Sequence, residues 1–124
     1  MKKILMLTLG LFFGMLYMAE AQMIVALDEI QHPSDQAQLH DEPVLDDAFS
    51  DAHMIWAPAG FSKNRIGAPT YEQIFVLEGE GLFTFDGEAK KVQRGSWVVI
   101  PANTAHTIEV VGEDALKMLS IQKK

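Results

Sequence analysis

The stretch GFSKNRIGAPTYEQIFVLEGEG, residues 60 to 81, combines a loop, a carboxylate, an apolar strand and a glycine turn. The carboxylate is Glu72, and a carboxylate beside an apolar strand can hold a metal ion or exchange a proton with a ligand. The stretch contains no histidine, but His106 follows the next dense β-prone run. If Glu72 and His106 face one cavity, they form a minimal acid/base pair, because imidazole titrates near neutral pH.

The elements that must position these two side chains are short β-strands. No segment after residue 21 has a helical period, whereas turn signals recur every 8 to 12 residues or so, as in an all-β sandwich or barrel. Asp86-Gly87 is a hairpin turn signal between two such strands. The predicted strands are His53–Trp56, Gln73–Leu77, Leu82–Phe85, Ala89–Gln93, Ser96–Ile100, Ala105–Val111 and Leu116–Ile121.

Side chains alternate between the two faces of a strand, which assigns neighbours to the same face as each candidate residue. If Glu72 points inward, Ile74 and Val76 do too, and Phe75 and Leu77 then face outward. By the same rule, Ile108 and Val110 accompany His106. Because Phe75 and Leu77 are too apolar for a wet face, they indicate a second sheet, a packed arm or a partner subunit.

The spacing in the first stretch resembles the first signature of the cupin family, G-x5-H-x-H-x3–4-E-x6-G. Gly60, Glu72 and Gly79 match, but Ile66 and Ala68 stand in the two histidine positions. The resemblance implies a small all-β jelly-roll barrel, a double-stranded β-helix.

The later stretch resembles the second cupin signature, G-x5-P-x-G-x2-H-x3-N. Gly95, Pro101 and His106 match, Asn103 replaces a glycine and Val110 replaces the asparagine. Asn103 is a mild replacement, because asparagine tolerates the left-handed backbone region better than most residues. Residues 53 to 121 as a whole resemble cupins.

The resemblance also implies which metal ligands have been lost. In metal-bearing cupins the two histidines and the glutamate of the first signature bind the metal together with the histidine of the second. Carried onto this sequence, that set leaves Glu72 and His106, whereas catalytic metal sites usually have three protein ligands. We therefore expect no metal cofactor. The alternative is a divalent metal on Glu72 and His106, completed by His53 or, from the acidic arm, by His32 or His40.

Three functions remain open. The first is a metal-independent barrel that binds a small polar ligand, a sugar or an organic acid. The second is an isomerase, epimerase or lyase in which Glu72 and His106 transfer protons as catalytic residues. The third is a non-catalytic module that binds protein and keeps a vestigial pocket, and the fold alone does not choose among them. The predicted ligand-binding residues are Glu72, His106, Ile66, Ala68, Ile74, Val76 and Ile108.

The N-terminal region predicts export. Residues 1 to 21 have Lys2 and Lys3, an apolar core and the small-x-small end Ala19-Glu20-Ala21, as in a cleaved secretory signal peptide. We expect a periplasmic or secreted protein that begins at Gln22. Residues 22 to 51 are interpreted as an acidic arm with a short edge strand at Met23 to Leu27, and residues 52 to 124 as the barrel.

The charge excludes some partners. The formal net charge is −7, which repels nucleic acid and anionic membrane surfaces. The sequence has no cysteine, so an exported chain must be stabilised by its core and by any subunit interface. The resemblance implies a homodimer, in agreement with the outward positions predicted for Phe75 and Leu77.

Overall fold

We describe residues 24–124 of the protein from a computed structural model. The chain divides into two units, residues 1–31 and 32–124. In the described part of the first, a 3-10 helix spans Leu27–Glu29. Residues 24–26 are not in a strand, so the edge strand predicted from Met23 to Leu27 is wrong over its described part. The predicted signal peptide lies outside the described residues. No helix between residues 24 and 124 is long and apolar enough to cross a membrane.

The second unit consists of nine strands in two antiparallel sheets. One sheet has the order β1-β2-β9-β4-β7 and the other has the order β3-β8-β5-β6. This arrangement confirms the predicted all-β jelly roll. The strands are β1 His40–Asp46, β2 Ser50–Ala57, β3 Ser62–Arg65, β4 Glu72–Glu78, β5 Glu80–Phe85, β6 Glu88–Gln93, β7 Trp97–Ile100, β8 His106–Val111 and β9 Leu116–Lys123.

Two of these strands, β1 and β3, were not predicted. Both lie at the edge of a sheet, where only one neighbour supplies ladder hydrogen bonds. Strand β3 reads SKNR and has no apolar alternation, and β1 carries Pro43. Proline is tolerated there because an edge strand leaves some N–H groups unpaired. Neither strand has the run of alternating or continuous apolar residues from which the central strands are predicted.

The core lies between the two sheets and follows the predicted alternation. In β4, Ile74 and Val76 are buried, whereas Phe75 and Leu77 on the other face are half-buried. In β8, Ile108 and Val110 are buried and Glu109 is exposed. The core also contains Ile55, Ala57, Phe83, Val92, Ile100, Leu116 and Met118.

The predicted hairpin between β5 and β6 is formed as the turn residues require. Asp86 and Gly87 both have positive φ, 50° and 79° respectively, which is the backbone shape of a tight two-residue hairpin turn. The turn fixes the register in which Phe85 lies opposite Glu88. Phe83 and Phe85 lie on one face of β5 because side chains alternate along a strand, and that face meets His106.

Candidate functional site

The loops that lead into β4 and β8 touch each other. The backbone N–H of Asn103 donates a 2.7 Å hydrogen bond to the carbonyl of Ala68. At Gly67, whose φ is +86°, an added Cβ would lie 2.6 Å from the backbone N and O of Thr104. Asn103 itself has φ +56°, in agreement with the predicted left-handed conformation at that position. The contact brings the first residues of β4 and β8 to the same end of the barrel.

Glu72 is the first residue of β4 and is only 9% exposed. The hydroxyl of Ser120, on the neighbouring strand β9, donates a hydrogen bond to Glu72 Oε2. Ser120 is itself buried, so the pair is shielded from water. Ser120 is not among the site residues predicted from the sequence. The signal that could have identified Ser120 is its position. It is a polar residue two positions after Met118 and therefore lies on the core-facing side of an apolar strand.

His106 begins β8 and is 5% exposed. Its Nδ1 lies 3.0 Å from the carbonyl oxygen of Thr104. Because a carbonyl can only accept, Nδ1 carries the proton, and in the neutral ring the lone pair is on Nε2. Nε2 is buried and has no hydrogen-bond partner among residues 24–124. The ring is stacked with those of Phe83 and Phe85, whose centroids are 6.3 and 5.7 Å away, so its orientation is held.

His106 lies at a cleft with a volume of about 410 Å³. The cleft is formed mainly by the end of β3, the start of β8 and the β5–β6 turn. Glu72 is not among its lining residues, so in this structure the two predicted acid/base residues do not line one cleft. The lining residues are Asn64, Arg65, Ile66, Thr84, Asp86, Gly87, Ala105, His106 and Thr107.

A second cleft, of about 460 Å³, lies where β8 ends, away from His106. It holds none of the predicted site residues. Its lining includes Arg94, Glu113 and Asp114, together with Gly79, Glu80, Gln93, Val111 and Gly112. The candidate site is therefore the cleft at His106.

The predicted apolar lining divides into two groups. Ile66 is 87% exposed and lies at the rim of the His106 cleft, and Ala68 is half-buried in the loop that precedes β4. Ile74, Val76 and Ile108 belong to the closed core and line neither of the two clefts. Their placement favours core packing over ligand contact.

His53 is the third ligand predicted for the alternative metal site. It lies opposite Ser120 in the β2–β9 ladder. Its Nδ1 is 2.5 Å from Asp41 Oδ1, and its Nε2 is 3.5 Å from Asp51 Oδ1. Desolvation lowers the pKa of His53, but the hydrogen bond and charge of Asp41, together with Asp51, outweigh it and raise the pKa above 6.5. Both ring nitrogens are thus engaged by carboxylates and not directed to Glu72.

His32 and His40 lie on the other side of the five-stranded sheet. His40 pairs with Trp56 in the β1–β2 ladder, and Trp56 points away from the face of its neighbour Ile55. The ring of His32 is 5.5 Å from that of Trp56 and 6.4 Å from that of His40. These histidines therefore cannot complete a site with Glu72 and His106.

The donor set does not fit the metal that the resemblance implies. Within residues 24–124, no three His, Asp or Glu side chains are grouped so that they could hold a metal ion. Ile66 and Ala68 stand where two imidazoles are expected, and neither has a donor atom that can bind a metal. These residues therefore support no chemical step through a metal.

A protein of Methanocaldococcus jannaschii, described only as uncharacterized, is 45% identical to this chain over 51 residues. The match covers 40% of this chain and 41% of that protein, less than half of each.

Solved structures have the same fold. A protein of Klebsiella pneumoniae with a double-stranded β-helix domain superposes with a TM-score of 0.68 at 18% identity, over 82% of this chain and 90% of its own. A cupin superfamily protein of Desulfitobacterium hafniense superposes with a TM-score of 0.66 at 18% identity, over 83% and 91%. At such identities the likeness concerns the fold alone.

The sequence also matches a family model, that of the cupin domain, over residues 52–122. This match begins within β2, ends within β9 and includes both Glu72 and His106. It spans more than half of the chain. Ile66 and Ala68 lie within it, in the loop before β4. The two-sheet barrel, the contact between the two signature loops and this match together show that the chain belongs to the cupin family.

Proposed function

We propose that this cupin binds a small polar ligand in the cleft at His106, without a metal. The observation that carries the proposal is the orphaned Nε2 of His106. A buried polar atom without a partner costs roughly 1–3 kcal/mol, and such atoms are uncommon in native proteins. Nε2 is closed to water in this structure, so a ligand reaches it only if this end of the barrel opens, and a hydrogen bond donated to Nε2 then removes that cost. The supporting features are the fixed tautomer, the two flanking phenylalanine rings and the volume of the cleft.

The cleft also offers polar groups for orientation. Thr107 Oγ1 donates a 2.7 Å hydrogen bond to Asn64 Oδ1, which leaves the amide nitrogen of Asn64 without a bond within the described chain. Thr84 lies opposite Thr107 in the β5–β8 ladder, so both side chains lie on the outer face of the sheet, whereas the His106 ring lies on the inner face. Ile66 adds an apolar rim. A few polar groups on a partly apolar concave surface are typical of small-molecule sites.

Proton transfer by Glu72 and His106 is the weaker alternative. It requires both side chains on one substrate, but the cleft at His106 is not lined by Glu72. Glu72 is instead held by Ser120, which is an anchoring contact. The geometry therefore favours binding over acid/base catalysis.

The ligand proposal is tested by thermal unfolding in a panel of neutral sugars and organic acids. A compound that binds only the folded protein raises the melting temperature. At least one compound is expected to raise the melting temperature of the wild type. The same compound should raise that of the control His40→Gln, which removes an imidazole on the outer face of the five-stranded sheet. His106→Gln is expected to lose the shift while still unfolding cooperatively. The proposal fails if no compound shifts the wild type, or if His106→Gln responds equally.

We also propose that the protein is exported and that it forms a homodimer. The basic, apolar and small-x-small segments of residues 1–21 support export, and N-terminal sequencing of the protein from its host should then begin at Gln22. A mature chain that begins at Met1 would contradict this. The dimer is supported by the exposed Trp97, which lies parallel to Phe75 on the outside of the five-stranded sheet.

A further inference from the structure

The outer face of the five-stranded sheet is closed on one side and open on the other. On β2, the outward side chains Met54 and Trp56 are 0% and 2% exposed, and the ring of His32 lies 5.5 Å from that of Trp56. On β7, the outward side chains Trp97 and Val99 are 61% and 48% exposed. Within the described chain, nothing covers this second half of the face to the same extent.

The open half is formed by the outward side chains of β4, β7 and β9, which lie in two adjoining rows across the strands. The rows are Leu119, Phe75 and Trp97, followed by Ile121, Gln73 and Val99. None of these six residues is charged, although the protein has a net charge of −7. A contiguous exposed face of this kind is typical of protein interfaces. Two copies of an acidic chain repel each other least through such a face, so the charge distribution favours a second copy as the partner that covers it.

The two ends of the open half carry charges of opposite sign. At one end, Glu78 is exposed and lies opposite Lys117 in the β4–β9 ladder. At the other end, Lys123 is exposed on the outward side of β9 and forms no ion pair with any residue that the structure describes. A twofold axis that lies in the interface and runs across the strands brings the Glu78 end of one copy to the Lys123 end of the other. The same axis places the row that contains Trp97 over the partner's row that contains Val99.

We propose that two copies pack their open halves face to face, about a twofold axis that runs across the strands. Trp97 of each copy packs on the partner's Val99, and Glu78 faces the partner's Lys123 at both ends of the interface. This inference rests on the proposed homodimer and specifies the surface that forms it and the orientation of the two copies. An axis along the strands is disfavoured, because it would bring the two copies of Lys123 together.

Single cysteines can report the interface, since the sequence has no cysteine of its own. Val99→Cys on the open half and Val111→Cys on the outer face of the four-stranded sheet are a matched pair, because both replace an exposed valine. Each variant is examined by sedimentation and then treated with a short bismaleimide. Val99→Cys is expected to yield mainly cross-linked dimer, and Val111→Cys should remain mainly uncross-linked. If Val99→Cys does not fold, Ile121→Cys on the same face replaces it.

Charge reversal tests the orientation. Lys123→Glu is expected to raise the dissociation constant of the dimer at least about fivefold, because the twofold axis applies the repulsion from Glu78 twice. The double variant Lys123→Glu, Glu78→Lys should recover most of the wild-type affinity.

A monomeric wild type would overturn this inference together with the proposed homodimer. The homodimer would stand and this inference would fail if the wild type is a dimer but Val111→Cys cross-links as well as Val99→Cys. The inference would also fail, again without affecting the homodimer, if the double charge variant binds no better than Lys123→Glu.

Discussion

Ser120 donates a hydrogen bond to Glu72 from the neighbouring strand, although the two residues are 48 positions apart in the sequence. Both side chains are buried, and they lie on the core-facing sides of β9 and β4. A buried carboxylate needs a donor, since its desolvation is otherwise uncompensated. The hydrogen bond from Ser120 therefore offsets part of the desolvation free energy of Glu72 at the end of the barrel.

The first prediction is that Ser120→Ala lowers the free energy of unfolding by about 1–3 kcal/mol, because it leaves Glu72 without that donor. Ser62→Ala, in the exposed strand β3, is the control and should change stability by less than about 0.5 kcal/mol. Urea denaturation at pH 7 measures both. Equal stabilities for the two variants would show that the hydrogen bond contributes nothing.

The second prediction concerns pH and His53. The pKa of His53 is raised by Asp41 and Asp51. Because the pKa of His53 is raised in the folded state, its protonated ring stabilises the fold. This stabilisation is fully present below pH 6.5, while both aspartates are ionised, and is lost as the pH rises through the folded-state pKa. Since the pair is partly exposed, this contribution is at most about 1 kcal/mol.

The substitution His53→Gln tests this pH dependence of stability, and His40→Gln is the control. The stability difference between wild type and His53→Gln is expected to shrink as the pH rises from 5.5 to 8.5. His40→Gln controls for the loss of an imidazole that contacts a backbone carbonyl and no carboxylate. A His53→Gln difference that is constant over this range would contradict the assignment.

The third prediction concerns the contact between the two signature loops. Gly67→Ala introduces a Cβ 2.6 Å from the Thr104 backbone and also strains a residue at φ +86°. Gly95→Ala is a matched control, because its φ is +92° but nothing lies within 4 Å of the added Cβ. The backbone strain alone costs about 1–2 kcal/mol. Gly67→Ala should lower the free energy of unfolding by more than this, because its added Cβ also meets the Thr104 backbone.

The free energy of unfolding, measured by chemical denaturation, should be at least about 1 kcal/mol lower for Gly67→Ala than for Gly95→Ala. Ligand binding by the stable fraction should also weaken in Gly67→Ala, because the loop it displaces precedes His106. Variants of equal stability would mean that the two loops do not pack as the structure shows.

The fourth prediction addresses the proposed dimer. Trp97 is 61% exposed, and its ring is fixed by stacking on Phe75 and by a 3.0 Å hydrogen bond from Nε1 to Gln73. An exposed, rigid tryptophan is a typical anchor of a protein interface, and its loss costs about 2 kcal/mol or more of association energy. Sedimentation should therefore show a wild-type dimer and a largely monomeric Trp97→Gln.

Val111→Ser is the control for the dimer, since Val111 is also an exposed apolar residue but lies on the four-stranded sheet. It should sediment like the wild type. A monomeric wild type, or a Trp97→Gln dimer of unchanged affinity, would remove the case for an interface at Trp97.

The central strands and their faces could be predicted from the sequence because the necessary signals are local. The alternation around Ile74 and around Ile108 assigned Glu72 and His106 to the buried side, and Asp86-Gly87 predicted the hairpin. The edge strands β1 and β3 could not be predicted. Their residues are polar and are held in place by the backbone of one neighbouring strand.

The sequence by itself therefore determined the barrel and the burial of Glu72 and His106. The replacement of two histidines by Ile66 and Ala68 stays a prediction from the resemblance. Only the tertiary structure decided what surrounds the two buried residues: Ser120 beside Glu72, and Arg65 opposite His106. The physical reason is that strand alternation is a property of adjacent residues. Cross-strand neighbours, by contrast, are set by sheet order and register, which bring together residues that are distant in the chain.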